Sequence, residues 1–301
     1  MTSTTTSPAA DTFLPEGGHP FHITPNEERC LRTQGARVAP SPVIAQAASF
    51  DEYVRQLMIP PAVMDLYRKA ADLRMSPIEI EAMRKHLAPL APGSNGLLRR
   101  IMLDKAERDD THPPYIRVAC TGRGTYDQWA VDHGHIDTLD DPYGDIGSPA
   151  VLEIWPAQHY SPIHSHGKTT GIVFCLAGQL DVMVYDRLAK DATKLALVTL
   201  TPGQCAWLTK TNFAVHKVYC PLDGGNGPTR PDYINNTDEF GASFHVYLNE
   251  DELTVQAYDE SDTRDAFDYI DEITGEQRQF KTYSDLSWSI LRRVLANTPL
   301  G

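Results

Sequence analysis

The chain has 301 residues, 41% of them hydrophobic, enough to bury a sizeable core, so wholesale disorder is not expected. Its 27 Lys and Arg face 40 Asp and Glu, and the net charge of −13 at pH 7 repels phosphate backbones and argues against a nucleic-acid partner. No window approaches the ~20 apolar residues of a membrane span, and the five cysteines show no C-x-x-C spacing, which argues against a disulfide scaffold or a zinc ribbon.

The opening residues, MTSTTTSPAADTF, have neither a basic nor an apolar leader pattern, so a cytoplasmic protein is expected. Residues 1–20, rich in Thr, Ser, Pro, Ala and Gly, read as a flexible lead-in, and residues 21–110 as a helical region. Ser49-Phe50-Asp51-Glu52 forms a capping-box pattern ahead of Tyr53, Val54 and Leu57, and Pro60-Pro61 restarts the chain into Val63, Leu66, Tyr67 and Ala70. Ser76-Pro77-Ile78-Glu79 combines an N-cap hydroxyl, a proline at the first helical position and a glutamate that reaches back. Ile80, Met83 and Leu87 then share one helix face.

From about residue 113 the period changes. Tyr115–Ala119, Val151–Trp155, Gly171–Leu176, Leu180–Tyr185, Cys205–Leu208, Ala214–Tyr219 and Ser243–Leu248 are short, β-branched or aromatic, and bounded by Gly, Pro and Asp. Ala177-Gly178-Gln179 reads as a turn between two of them, and Asp/Gly-rich insertions at 122–147 and 222–241 interrupt the series. Ser284 is placed to cap a closing helix whose Leu286, Ile290, Leu291 and Val294 form an apolar stripe. The pattern predicts an antiparallel barrel or sandwich over 111–283, helices before it and a helix over 284–301.

His164-Ser165-His166 sits at the entrance to the strand run. In extended chain, residues i and i+2 share a face, so both imidazoles reach one ion. His216, inside a later predicted strand, supplies a third. Imidazoles suit Fe, Zn, Cu and Ni, so the residue types leave the metal open. His133-Gly134-His135 is a second H-x-H, but no strands flank it, and it ranks below the first as a ligand pair.

The segment from Trp155 to His166, WPAQHYSPIHSH, resembles the metal-binding segment of the cysteine dioxygenase family, thiol dioxygenases of the cupin superfamily. Gln204-Cys205-Ala206-Trp207 followed by His216, then Ser243-Phe244-His245-Val246-Tyr247, and Ala266-Phe267-Asp268 with Thr274-Gly275, are similar to later segments of that family in order and character. The resemblance implies a mainly β, cupin-type antiparallel barrel, or jelly roll. It implies Fe(II) held by His164, His166 and His216, and a thiol oxidised by O2 to a sulfinate.

Cupins place a glutamate three or four residues beyond the second histidine, where this chain has Thr170 or Gly171; Gly178 stands at their glycine position. Three neutral ligands leave the metal its full dipositive charge, which favours a thiolate. Ser243, His245 and Tyr247 would form a relay that orients the tyrosine hydroxyl towards substrate, and Arg117 would bind a substrate carboxylate through paired hydrogen bonds. Tyr115 and Trp155 are the accompanying substrate-binding residues. Gly171 stands where animal members carry the cysteine that crosslinks to the active-site tyrosine, so no Cys–Tyr crosslink is expected; Cys175 is too far along the strand to replace it.

The expected partners are a small thiol and O2, with neither nucleic acid nor membrane. L-cysteine is the leading substrate through Arg117, with 3-mercaptopropionate, cysteamine and ergothioneine-like thiols open, and a non-catalytic metal- or thiol-binding cupin as the alternative. The 222–241 segment, with Asn226, Arg230 and Tyr233, reads as a lid or as a solvated loop.

Overall fold

Alternation builds both layers of the fold. In the strand Leu180–Tyr185, Leu180, Val182 and Val184 point to one apolar cluster while Met183 and Tyr185 point to another. The same division repeats strand after strand in the computed structural model. It describes residues 24–38, 75–88, 96–108, 115–119, 123–139, 150–166, 169–208, 214–222, 238–249, 266–281 and 284–300. The helix starts read at Ser49 and Pro60, and the segment holding Asn226, Arg230 and Tyr233, lie outside the described residues.

The described strands are β1 (Ile116–Ala119), β2 (Ala150–Pro156), β3 (His164–Ser165), β4 (Thr169–Ala177), β5 (Leu180–Tyr185), β6 (Lys194–Leu200), β7 (Cys205–Leu208), β8 (Val215–Tyr219), β9 (Phe240–Asn249), β10 (Ala266–Ile270), β11 (Gln277–Lys281) and β12 (Leu286–Ser287). They form two six-stranded sheets in the orders β12-β1-β2-β9-β4-β7 and β11-β10-β3-β8-β5-β6. Every pairing is antiparallel except β1 with β12. The protein is thus mainly β, a jelly roll in which Trp155, Val173 and Cys175 of the first sheet meet Val182, Val198 and Val218 of the second across the interior.

Helices cover the outer faces. They are α1 (Pro25–Val38), α2 (Pro77–Leu87), α3 (Leu97–Arg108), α4 (Asp127–Asp132) and α5 (Trp288–Ala296). Met83 and Leu87 of α2, Ile101 and Met102 of α3, and Ile290 and Val294 of α5 pack on the outward Ile116, Val118, Leu152 and Phe244 of the first sheet. Leu31 of α1 packs with Met183, Leu197 and Tyr219 outside the second. The start of α2 is the predicted capping box: Ser76 Oγ accepts from Glu79 N–H at 3.2 Å, and Glu79 Oε2 accepts from Ser76 N–H at 2.7 Å. Gly178 turns β4 into β5 at φ 65°, and a Cβ there would lie 2.3 Å from the Phe240 carbonyl oxygen, so no other residue fits.

Two local expectations are corrected. The closing helix is capped by Ser287, whose Oγ accepts from Ile290 N–H, because Leu286 and Ser287 first pair with β1 as a strand; Ser284 instead donates to the Leu286 carbonyl. The 122–147 insertion carries a helix, α4, anchored by Asp127, whose two carboxylate oxygens accept from Gly124 N–H and Ser287 N–H at 2.8 Å.

Candidate metal centre

The chain leaves β2 through a turn pinned at Gln158, which adopts φ 66° although it is not glycine. Its side chain repays the strain: Nε2 donates to the Leu222 carbonyl at 2.6 Å and Oε1 accepts from the Tyr219 hydroxyl at 2.5 Å. Ser161 then locks the crossing into the second sheet, its N–H donating to the Val218 carbonyl and its Oγ accepting from Val218 N–H. This delivers His164 into β3 directly opposite His216 of β8.

Register therefore brings the histidines together. The ring centroids of His164 and His216 are 4.3 Å apart, those of His164 and His166 4.9 Å, and those of His166 and His216 5.5 Å. One ligand nitrogen from each lies within 4.8 Å of the others, so the trio could hold a metal ion, and it is the one such group of histidine, cysteine and carboxylate side chains among the described residues. His164 Nδ1–H donates to the Pro162 carbonyl at 3.0 Å, which fixes the tautomer and turns Nε2 to the cluster. Burial, then the charge of neighbouring histidines, with Arg117 adding, holds His164 and His166 well below the ordinary imidazole range, so they keep the lone pairs a metal needs. Three imidazoles with no carboxylate suit Fe(II), Zn or Cu, and the donor set fits the iron that the sequence resemblance implies.

His133 and His135 do not join this cluster. His133 stacks on Trp129 at 3.8 Å, and His135 meets His86 edge-on at 5.8 Å.

The inward face of the first sheet faces the trio. Ser243 and His245 on β9 are 0% and 3% exposed, so this is an interior face and not a solvated one. His245 Nε2 lies 2.6 Å from Ser243 Oγ, which accepts the indole N–H of Trp155 at 2.9 Å. Trp155 in turn stacks on Tyr115, with centroids 4.3 Å apart at 14°. Tyr115 and Trp155 thereby brace the Ser243 end of the row. Tyr247 lies on the same strand two residues beyond His245; its side chain lies outside the described residues.

The structure adds a residue that the sequence reading missed. Glu153, buried on β2, places Oε1 3.1 Å from Arg117 Nε and Oε2 3.1 Å from His245 Nε2. Arg117 is itself buried on a strand flanked by β12 and β2, not on a sheet edge. Nε2 of His245 thus lies between two oxygens, 2.6 Å from Ser243 Oγ and 3.1 Å from Glu153 Oε2. Burial lowers the His245 pKa more than the Glu153 charge raises it. The signal was a single acid within Val151-Leu152-Glu153-Ile154-Trp155, at the position that shares a face with Trp155. Phe267, 5.1 Å from His164 and 5.3 Å from His166 between ring centroids, is the apolar neighbour of the trio.

Compared with protein-family models and with curated proteins, the sequence matches none. Among solved structures it is similar to oxalate oxidase in complex with the substrate analogue glycolate (12% identity, 33% of this chain and 40% of that one, TM-score 0.23). It is also similar to procruciferin, the 11S globulin from Brassica napus (10%, 36% and 21%, TM-score 0.24), and to the oxalate decarboxylase formate complex of Lactobacillus farciminis (16%, 33% and 23%, TM-score 0.23). The chain spans less than half the length of each of these. They are likenesses of part of a fold and say nothing of the chemistry at the trio. Among the described residues no helix is long and apolar enough to cross a membrane.

Proposed function

We propose that the protein is an Fe(II)-dependent thiol dioxygenase that adds both atoms of O2 to the sulfur of a small thiol. The observation that carries the reading is the all-imidazole cluster of His164, His166 and His216, whose ligand nitrogens lie within 4.8 Å of one another. Glu153, a buried carboxylate of β2, lies 3.1 Å from Arg117 and from His245 and is not in that set. When bound, ferrous iron supplies open positions and the redox chemistry of O2. The overall reaction balances without an external reductant: RSH and O2 give RSO2H, the sulfur losing four electrons and O2 gaining four.

This chain's own residues hold and orient. Neutral His164 and His166 contribute no charge, so a substrate thiolate would be the anion that completes the shell of a metal they hold. Trp155 and Glu153 fix Ser243 and His245 from two sides, which keeps the inward row of β9 rigid. In the proposal the Tyr247 hydroxyl, next along that row, donates a hydrogen bond to the reacting thiol or oxygen. Sequence reasoning puts L-cysteine first through Arg117, whose Nε lies 3.1 Å from Glu153 Oε1.

An oxygen electrode tests the reading on iron-reconstituted protein against a panel of thiols and, as controls, catechol and sugars. Thiol-dependent uptake with a sulfinate product is expected. Thiol binding without uptake would make the protein a non-catalytic binder, and uptake with catechol alone would make it a carbon dioxygenase.

A further inference from the structure

Resting on the thiol reading above, the row Arg117, Glu153, Ser243 deepens it by naming the substrate class. Register sets the three side by side on the interior face: Arg117 is the partner of Glu153 across β1 and β2, and Glu153 of Ser243 across β2 and β9. Arg117 and Glu153 are 3% and 5% exposed. Each carboxylate oxygen of Glu153 has a nitrogen at 3.1 Å, one from Arg117 and one from His245. The positive charge of Arg117 is therefore cancelled from within the barrel before any substrate arrives.

A free guanidinium attracts a carboxylate. A guanidinium already bearing one offers an incoming carboxylate no net charge and a like charge a few ångströms away. In a dry interior such repulsion is poorly screened, and like charges at close quarters act as a strong selection against the wrong partner. On the other oxygen of Glu153 stands His245 Nε2 at 3.1 Å, its pKa lowered by burial. We infer that the site selects thiols whose tail carries no carboxylate, and that Glu153, by neutralising Arg117, is the residue that sets this choice.

The test is equilibrium binding, read separately from turnover. Cobalt(II)-substituted protein is titrated with two matched pairs, L-cysteine against its methyl ester and 3-mercaptopropionate against 2-mercaptoethanol, following the thiolate-to-cobalt charge-transfer band. In each pair the member without the carboxylate is expected to bind about tenfold tighter or more. Glu153→Gln, which keeps the shape and removes the charge, is expected to move the ratio towards the carboxylate by about tenfold. Tighter binding of the carboxylate-bearing members by the unaltered protein would overturn the inference, as would an unchanged ratio in a folded Glu153→Gln variant. If that variant does not fold, the ratio for the unaltered protein decides alone.

The two readings fail separately. Binding in the expected order with no thiol oxidised by the iron protein would sink the dioxygenase and leave the selectivity standing. Oxidation that favours the carboxylate-bearing thiols would do the reverse. Absence of any thiol band would overturn both.

Discussion

Gly171 lies directly across the β4–β9 pairing from Tyr247. It shares the inward face with Val173 and Cys175, so a cysteine at 171 would be the cross-strand neighbour of the tyrosine, with Cβ atoms about 4.5–5.5 Å apart. Glycine brings no sulfur there. Cys175 is paired with Ser243, two inward positions further along, and burial pushes its thiol up to about 12.

No thioether should therefore join Tyr247 to a cysteine. Peptide mass spectrometry of the iron-loaded, aerated protein is expected to find the Tyr247 peptide unmodified. The same peptide covalently joined to a cysteine peptide would contradict the register argument.

The Arg117–Glu153 pair predicts an asymmetric stability cost. Arg117→Met removes one partner and leaves a buried carboxylate with His245 alone, which should lower unfolding stability by about 3–5 kcal/mol in urea titration. Replacing both, Arg117→Met with Glu153→Leu, should recover most of the loss, because no uncompensated charge remains. A single variant as stable as the parent would mean that the pair is not desolvated.

Metal retention and turnover should separate on opposite sides of the barrel. His164→Ala or His216→Ala is expected to lose bound iron, measured by metal analysis after gel filtration. Tyr247→Phe should keep a full complement of iron and lower kcat by about a hundredfold or more, since it deletes only a proton-bearing hydroxyl. Full iron in either histidine variant would break the ligand assignment, and undiminished kcat in Tyr247→Phe would remove its proposed role.

Acid should destabilise the fold through histidines away from the trio. Burial pulls His86 and His159 down to about 4, whereas in the unfolded chain they titrate near 6.5. Their contribution is complete above the unfolded value and is lost as pH falls from about 6.5 to about 4, because over that window the unfolded chain binds the proton and the folded chain does not. The loss is at most about 3 kcal/mol for each. His86 Nδ1 accepts from Leu97 N–H and Nε2 meets Thr298 Oγ1 at 2.8 Å, so protonation at Nδ1 breaks a contact between α2 and α3. Tm measured across this window should fall, and His86→Gln should flatten the slope; a Tm unchanged between pH 7 and 4.5 would refute the burial argument.

The legible parts of the fold are those where one residue type has one physical meaning. Leu180–Tyr185 and Cys205–Leu208 were readable to the residue, since apolar runs end at turn formers. The α2 start was readable because serine, proline and glutamate each do one thing there. The sequence reading passed over β6, β10 and β11. β11 is Gln277-Arg278-Gln279-Phe280-Lys281, an edge strand with its first three residues exposed and hence no apolar alternation, and the apolar run of β6 follows residues 186–193, which hold no Gly or Pro to mark its start.

At the site, residue type and spacing were enough to nominate the histidines, because H-x-H in extended chain forces a shared face. They were not enough for Glu153. An acid between two leucine-like neighbours shows its meaning only when register sets it between Arg117 and Ser243, and those pairings join distant segments of the chain.

Labelled oxygen tests the central claim most directly. Iron-reconstituted protein is given a carboxylate-free thiol under doubly labelled O2, and the product is weighed. Both labelled atoms should appear on one sulfur, and none with His216→Ala. A disulfide product without label, or the same labelled product from the His216→Ala protein, would contradict the account.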